Sequence, residues 1–153
     1  MTRIAMVAAL AVLTFFLPPP ATGHEGAEGV VKQRMDQMSV METSLKKIAG
    51  MVRSGDDFDR EEVIRLARDI RNHGGENMTR LFPESSKPMR SEAEPAIWEE
   101  WEAFRTGASD LSRKANHLAK MISSGGDRAN VMTAIKELAA TCTGCHRKFR
   151  RPE

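Results

Sequence analysis

Residues 97–122 read IWEEWEAFRTGASDLSRKANHLAKMI, and their apolar positions decide the fold. Ile97, Trp101, Phe104, Ala108, Leu111, Ala115, Leu118 and Ile122 recur at alternating steps of four and three. That period keeps them on one stripe of an α-helix, which at about 1.5 Å per residue is a rod of roughly 40 Å. Pro95 suits its first turn, where a missing N–H costs nothing, and the glycines within 123–126 end it.

The same period continues in both directions. Downstream, Val131, Ile135, Leu138, Cys142, Cys145 and Phe149 define a final helix with both cysteines on its buried face. Upstream, Val31, Met35, Met38, Met41 or Glu42, Leu45, Ile48 and Val52 define a first helix, which Gly55, Asp56 and Asp57 end. Asp59 and Glu62 form a capping-box start for a second helix burying Val63, Leu66, Ala67 and Ile70. It weakens at Gly74-Gly75, and Pro83 finishes any continuation. Residues 83–90 carry two prolines and two serines and read as a surface loop. Tyrosine is absent and β-branched runs are few, so no segment argues for a strand. The expected fold is all-α, an antiparallel up-down-up-down four-helix bundle, whose interior suits a cofactor.

One segment stands outside that bundle. Residues 1–3 supply a short positive start, 4–17 an apolar run, and Pro18, Pro19 and Pro20 break it before Ala21 and Gly23. That layout predicts a secretory signal peptide over 1–23, cleaved after Gly23, with the four-helix bundle domain at 24–153. The alternative is an uncleaved anchor, but the run is shorter than the roughly 20 apolar residues a spanning helix needs. Loss of 1–23 removes Arg3 and no acid, leaving 22 basic against 21 acidic residues. Bases and acids are interleaved along residues 60–71 and 92–120, so nothing points to nucleic acid. Only the end is lopsided, where Arg147, Lys148, Arg150 and Arg151 face Glu153 alone.

The chain has two cysteines, in the pattern Cys142-Thr143-Gly144-Cys145-His146. A disulfide between them would close a trivial loop and stabilise little. C-x-x-C-H is the pattern of covalent haem attachment: two thiols about one helical turn apart can each add to a porphyrin vinyl group, and the adjacent imidazole meets the iron. Three other readings compete. A thioredoxin-like dithiol needs its pair at the start of a helix after a strand. A zinc site needs four ligands, and His24, His73 and His117 are isolated. An inert pair of core cysteines leaves His146 unexplained. The expectation is one covalently attached haem c, held by Cys142 and Cys145, with His146 as proximal axial ligand.

These residues resemble a family. CTGCHRKFR at 142–150, close to the C-terminus of a four-helix bundle, resembles cytochrome c′ and its relatives among the class II c-type cytochromes. Leu81-Phe82-Pro83 resembles the family's loop after the second helix, Ala96-Ile97-Trp98 with Phe104 its third helix, and Arg34 with Met38 its first. The resemblance spans residues 28–151, and only the haem motif is specific by itself. It implies a haem between helices with His146 on one face and Met38, the candidate distal ligand, on the other. Where a methionine ligates there, family members are electron carriers; where the position stays open, they respond to nitric oxide or carbon monoxide. Met38 is equally readable as a core methionine beside Met35, Met41 and Met51. Arg34 resembles the family residue near a haem propionate, or is a solvent-facing arginine. Arg150 resembles a residue near the proximal face, or belongs only to the basic end.

The expected function is therefore a non-enzymatic, periplasmic one-electron carrier with no membrane span after cleavage, docking through its basic end on an acidic redox partner. A five-coordinate gas binder is the alternative within the family, and a thiol-disulfide oxidoreductase using Cys142 and Cys145 the alternative from another class. Val40 and Trp98, outside the stripes, are offered as a homodimer face.

Overall fold

The computed structural model describes residues 28–55, 57–87 and 91–152. The signal segment 1–23, His24, Asp56, residues 88–90 of the loop and Glu153 lie outside the described residues. The chain forms α1 (Gly29–Ser54), α2 (Arg60–His73), a single turn α3 (Glu76–Thr79), a 3₁₀ turn (Glu84–Ser86), a short α4 (Ala96–Glu99), α5 (Trp101–Ser123) and α6 (Arg128–Phe149). α1 packs beside α2 and α6, and α5 beside the same two, so the four long helices close a ring. The described residues contain no strand, only one isolated antiparallel bridge between Ala93 and Arg150. None of the described helices is long and apolar enough to cross a membrane.

Caps fix where the helices begin and end. The Asp59 carboxylate accepts from the Glu62 N–H at 2.9 Å and Asp127 from the Asn130 N–H at 2.8 Å, each satisfying a first-turn donor. Glu62 does not complete the capping box; its carboxylate pairs with Arg65 instead. At the other end of α1, Arg128 donates to the carbonyls of Val52 at 2.7 Å and Arg53 at 3.0 Å, tying the start of α6 to the end of α1. Gly74-Gly75 ends α2 as expected, and packing explains why. A Cβ on Gly74 would lie 3.2 Å from the Ser112 backbone nitrogen, while Gly75, at φ +58°, donates to Ala108 O at 2.9 Å. The glycines let α2 end directly against α5.

The expected stripes form one core. Val63, Leu66, Ala67 and Ile70 are buried on α2; Ala108, Leu111, Ala115, Leu118 and Ile122 on α5; Val131, Ile135 and Leu138 on α6. Each such aliphatic side chain, fully buried, contributes about 2 kcal/mol.

Three expectations need correction. The long rod is broken at Glu100, whose backbone (φ −116°, ψ 47°) leaves helical values and separates α4 from α5. On α1 the buried residues are Val31, Arg34, Met41, Ser44, Ile48 and Val52, while Met35, Met38 and Leu45 are only half-buried. The loop after α2 is not simply a polar surface segment, because Leu81, Phe82 and Ser86 are buried. Of the two residues offered as a dimer face, Val40 is exposed and Trp98 half-buried, its indole N–H donating to Phe82 O at 3.0 Å.

Candidate haem site

α6 runs without interruption through the C-x-x-C-H motif to Phe149. Cys142 and Cys145, three residues apart, lie on one side of it. Both thiols are free, and both are half-buried against the core rather than within it, which corrects their placement on a fully buried face. A Cβ added to Gly144 would meet nothing within 4 Å, so the chain itself leaves room beside the motif. Burial pushes both thiols above their ordinary pKa, and the neighbouring Cys142 pushes Cys145 further. That is the opposite of the lowered thiol a disulfide oxidoreductase needs. His146 is pushed below its usual value, first by burial and then by the Arg150 charge, with Glu42 and Glu92 pulling the other way. A neutral imidazole, the form that ligates a metal, is favoured.

α1 lies beside this motif, as the influence of Glu42 on His146 reflects. The three methionines of its first half differ in their surroundings. Met41 belongs to the core, Met38 is half-buried against it, and Met35 is half-buried outside that cluster. Met38 is thus the methionine of this set that is neither locked in the core nor turned away from it.

Arg34, one turn before Met38, is buried, with 5 % of its surface exposed. Its Nε donates to Leu81 O at 2.5 Å and its Nη2 to Ser86 Oγ, while Ser86 donates in turn to Pro83 O at 2.6 Å. Its guanidinium carbon sits 4.1 Å from the Phe82 ring centroid and 5.8 Å from that of Trp98. Around it, Phe82, Phe104 and Phe149 contact edge to face at 4.8 and 5.4 Å. Burial lowers the Arg34 pKa to about 10, so the group stays cationic at neutral pH. Its two acceptors are neutral, and its buried Nη1 has no partner.

A buried cation with an unsatisfied donor is costly unless an anion joins it. The propionate carboxylate of a porphyrin is such an anion. Two thiols one turn apart, an adjacent neutral imidazole and half-buried apolar side chains complete a donor set that fits haem c.

Arg150 is placed close enough to His146 to depress its pKa, but its side chain is half-exposed and its Nε lies 2.7 Å from Glu92. The basic end is also not opposed by Glu153 alone. Lys148 pairs with Glu100, and Arg151 with Glu94 at 3.7 Å, while the Glu94 N–H donates to Phe149 O and the Arg151 N–H to Glu92 O. Residues 92–100 thus strap the last turn of α6 with carboxylates distant in sequence. Ser86 and Glu92 were the residues of this region that the sequence alone did not single out; their partners lie 52 and 58 positions away, and no local pattern marks them.

The chain is similar to known proteins in sequence and in fold. The sequence pattern of the Cytochrome C′ family matches residues 29–150. A cytochrome c-554 from Cereibacter sphaeroides is 31 % identical, covering 82 % of this chain and 96 % of that protein. A variant of cytochrome c′ from Rhodopseudomonas palustris superposes with a TM-score of 0.72 at 26 % identity, covering 82 % of this chain and 100 % of that one. A nitric oxide complex of a cytochrome c′ variant from Alcaligenes xylosoxidans has the same fold, with a TM-score of 0.70 at 17 % identity, over 80 % and 94 % of the two chains. Proteins of this kind are periplasmic haem-binding carriers or gas-binding proteins. With its matching pattern, its relatives and its bundle fold, this chain belongs to the cytochrome c′ family, whose members bind one covalently attached c-type haem.

Proposed function

We propose that this chain is a periplasmic one-electron carrier whose haem c is joined to Cys142 and Cys145, ligated by His146 and closed on the other face by Met38. Bound there, the iron porphyrin supplies a centre that gains and loses a single electron. The chain's residues hold it and set its surroundings. Arg34 meets a carboxylate with the N–H that has no other partner. The aromatic side chains of Phe82, Phe104 and Phe149 keep water from that end of the bundle. Residues 1–23 serve as the export signal and 24–153 as the mature domain; intact mass of exported protein beginning before Ala21 would refute that cleavage.

The position of Met38, half-buried on the helix beside the motif and one turn from Arg34, is the observation that carries the carrier reading. A thioether ligand favours the reduced iron and so suits electron transfer. The absorption spectrum tests it. A low-spin spectrum with a sulfur-to-iron band, lost in Met38→Ala, supports the carrier. A high-spin spectrum unchanged by that substitution removes Met38 from the iron and favours the second reading, a diatomic gas binder like the Alcaligenes protein captured with nitric oxide.

A further inference from the structure

We propose that the cup between the end of α2 and the middle of α5 is a binding site for a phosphate-class oxyanion. It lies across the edge of the bundle opposite the α1–α6 pair and does not depend on the haem reading. Arg71, Gly75, Ser109, Ser112, Arg113 and Asn116 line a concavity of about 370 Å³. Two guanidiniums, two hydroxyls and an amide face it, and no carboxylate does.

The fold builds this arrangement from two pieces. Ser109, Ser112, Arg113 and Asn116 follow at three, four and seven positions, so they share one face of α5. Gly74 and Gly75 bring the last turn of α2, with Arg71, directly against that face. Arg71 donates to Asn72 Oδ1 at 3.0 and 3.2 Å and to Asn116 Oδ1 at 3.4 Å, all neutral acceptors. Among the described residues it meets no carboxylate. Arg113 makes one exposed pair with Asp110 at 2.9 Å, of the kind that contributes little. Each guanidinium has five N–H donors in a fork that matches an oxyanion, so both retain donors for a ligand.

One effect opposes an anion here, because the C-terminus of a helix carries partial negative charge on its free carbonyls. In α2 four of the last five carbonyls are already taken. Asp69 O accepts from His73 Nδ1 at 2.8 Å, Ile70 O from the Gly74 N–H at 3.1 Å, and Asn72 O from Asn77 Nδ2 at 2.8 Å. Arg71 O accepts from the Gly74 N–H and from the Ser112 hydroxyl at 3.0 Å. The charged groups of the cup itself are the guanidiniums of Arg71 and Arg113, the second sharing its charge with Asp110 at an exposed edge, with the Ser109 hydroxyl and the Asn116 amide as neutral donors.

The experiment is a titration of the ¹⁵N-labelled, haem-loaded protein with inorganic phosphate, against chloride at matched ionic strength. Saturable amide shifts at Gly75, Ser109 and Arg113, absent with chloride, are expected. Arg71→Gln weakens that binding about ten-fold, as loss of a charged hydrogen bond does, and Arg71→Gln with Arg113→Gln abolishes it. Arg71→Lys, which keeps the charge and the helix, retains part of it. An unaltered Soret band and helical signal in each variant separate loss of a site from loss of the fold. Sedimentation with phosphatidylglycerol vesicles, lost in the double variant, assigns the phosphate to a lipid headgroup; phosphate binding without vesicle binding assigns it to a soluble ligand. Shifts that chloride reproduces, double-variant binding equal to that of the parent, or binding to neither phosphate nor vesicles overturns the proposal.

Discussion

The two halves of α6 are built to different standards of completeness. In the first, Val131 and Leu138 are fully buried among Ile48, Val52, Val63, Leu118 and Ile122, and Arg128 caps the neighbouring helix. In the second, Cys142, Cys145 and His146 are half-buried, Met38 and Leu45 on α1 are likewise half-buried, and Arg34 is buried without a countercharge. Polypeptide alone closes the first half. The second makes physical sense when a flat apolar group with an anionic edge completes it, which is how a bundle can be stable by itself at one end and shaped for a cofactor at the other.

That contrast is open to attack in order of expected effect. Leu138→Ala in the closed half creates a cavity and is expected to lower unfolding free energy by about 3 kcal/mol while leaving the absorption spectrum unchanged. Urea unfolding followed by helical signal, with a spectrum of the same sample, checks both; a spectral change with little loss of stability would invert the contrast. Arg34→Met in the open half removes a buried charge and its bonds to Leu81 and Ser86, at about 2 kcal/mol in the haem-loaded protein. The same change is expected to lower the haem reduction potential, because a nearby positive charge disfavours the oxidised iron. An unchanged potential by spectroelectrochemistry would mean that Arg34 serves only the loop. Trp98→Phe leaves the Phe82 carbonyl without its 3.0 Å donor and should cost about 1 kcal/mol, measured by thermal unfolding. The smallest effect is reserved for the strap. Glu92→Gln breaks an exposed pair with Arg150 and is expected to change stability by less than about 0.5 kcal/mol, a shift that high salt should erase.

How much of this was readable beforehand follows the same division. Periodicity located the core of α2 residue by residue and most of that of α5 and α6, because a buried stripe is a local property of a helix; Trp101, Cys142 and Cys145 proved half-buried, and Ala119 and Ala134 were missed. The motif Cys142 to His146 was equally local, since its chemistry depends on spacing within one turn. The break at Glu100 was hidden because the apolar stripe runs on across it. Arg34 shows the limit more clearly. A charged residue one turn from Met38 reads as either solvent-facing or ligand-facing, and only the approach of Leu81 and Ser86, 47 and 52 positions away, reveals it as buried. The basic end was misjudged for the same reason. Glu100, Glu92 and Glu94 pair with Lys148, Arg150 and Arg151 from another element, and charge counting along the chain does not register pairs made across space.

Covalent attachment through the last helix is the claim on which the rest depends, and mass spectrometry of the denatured protein tests it most directly. In a host that attaches haem c, the exported chain is expected to retain the mass of one iron porphyrin after unfolding, and Cys142→Ala with Cys145→Ala to lose it. A polypeptide of bare amino-acid mass, colourless and with two titratable thiols, would contradict it.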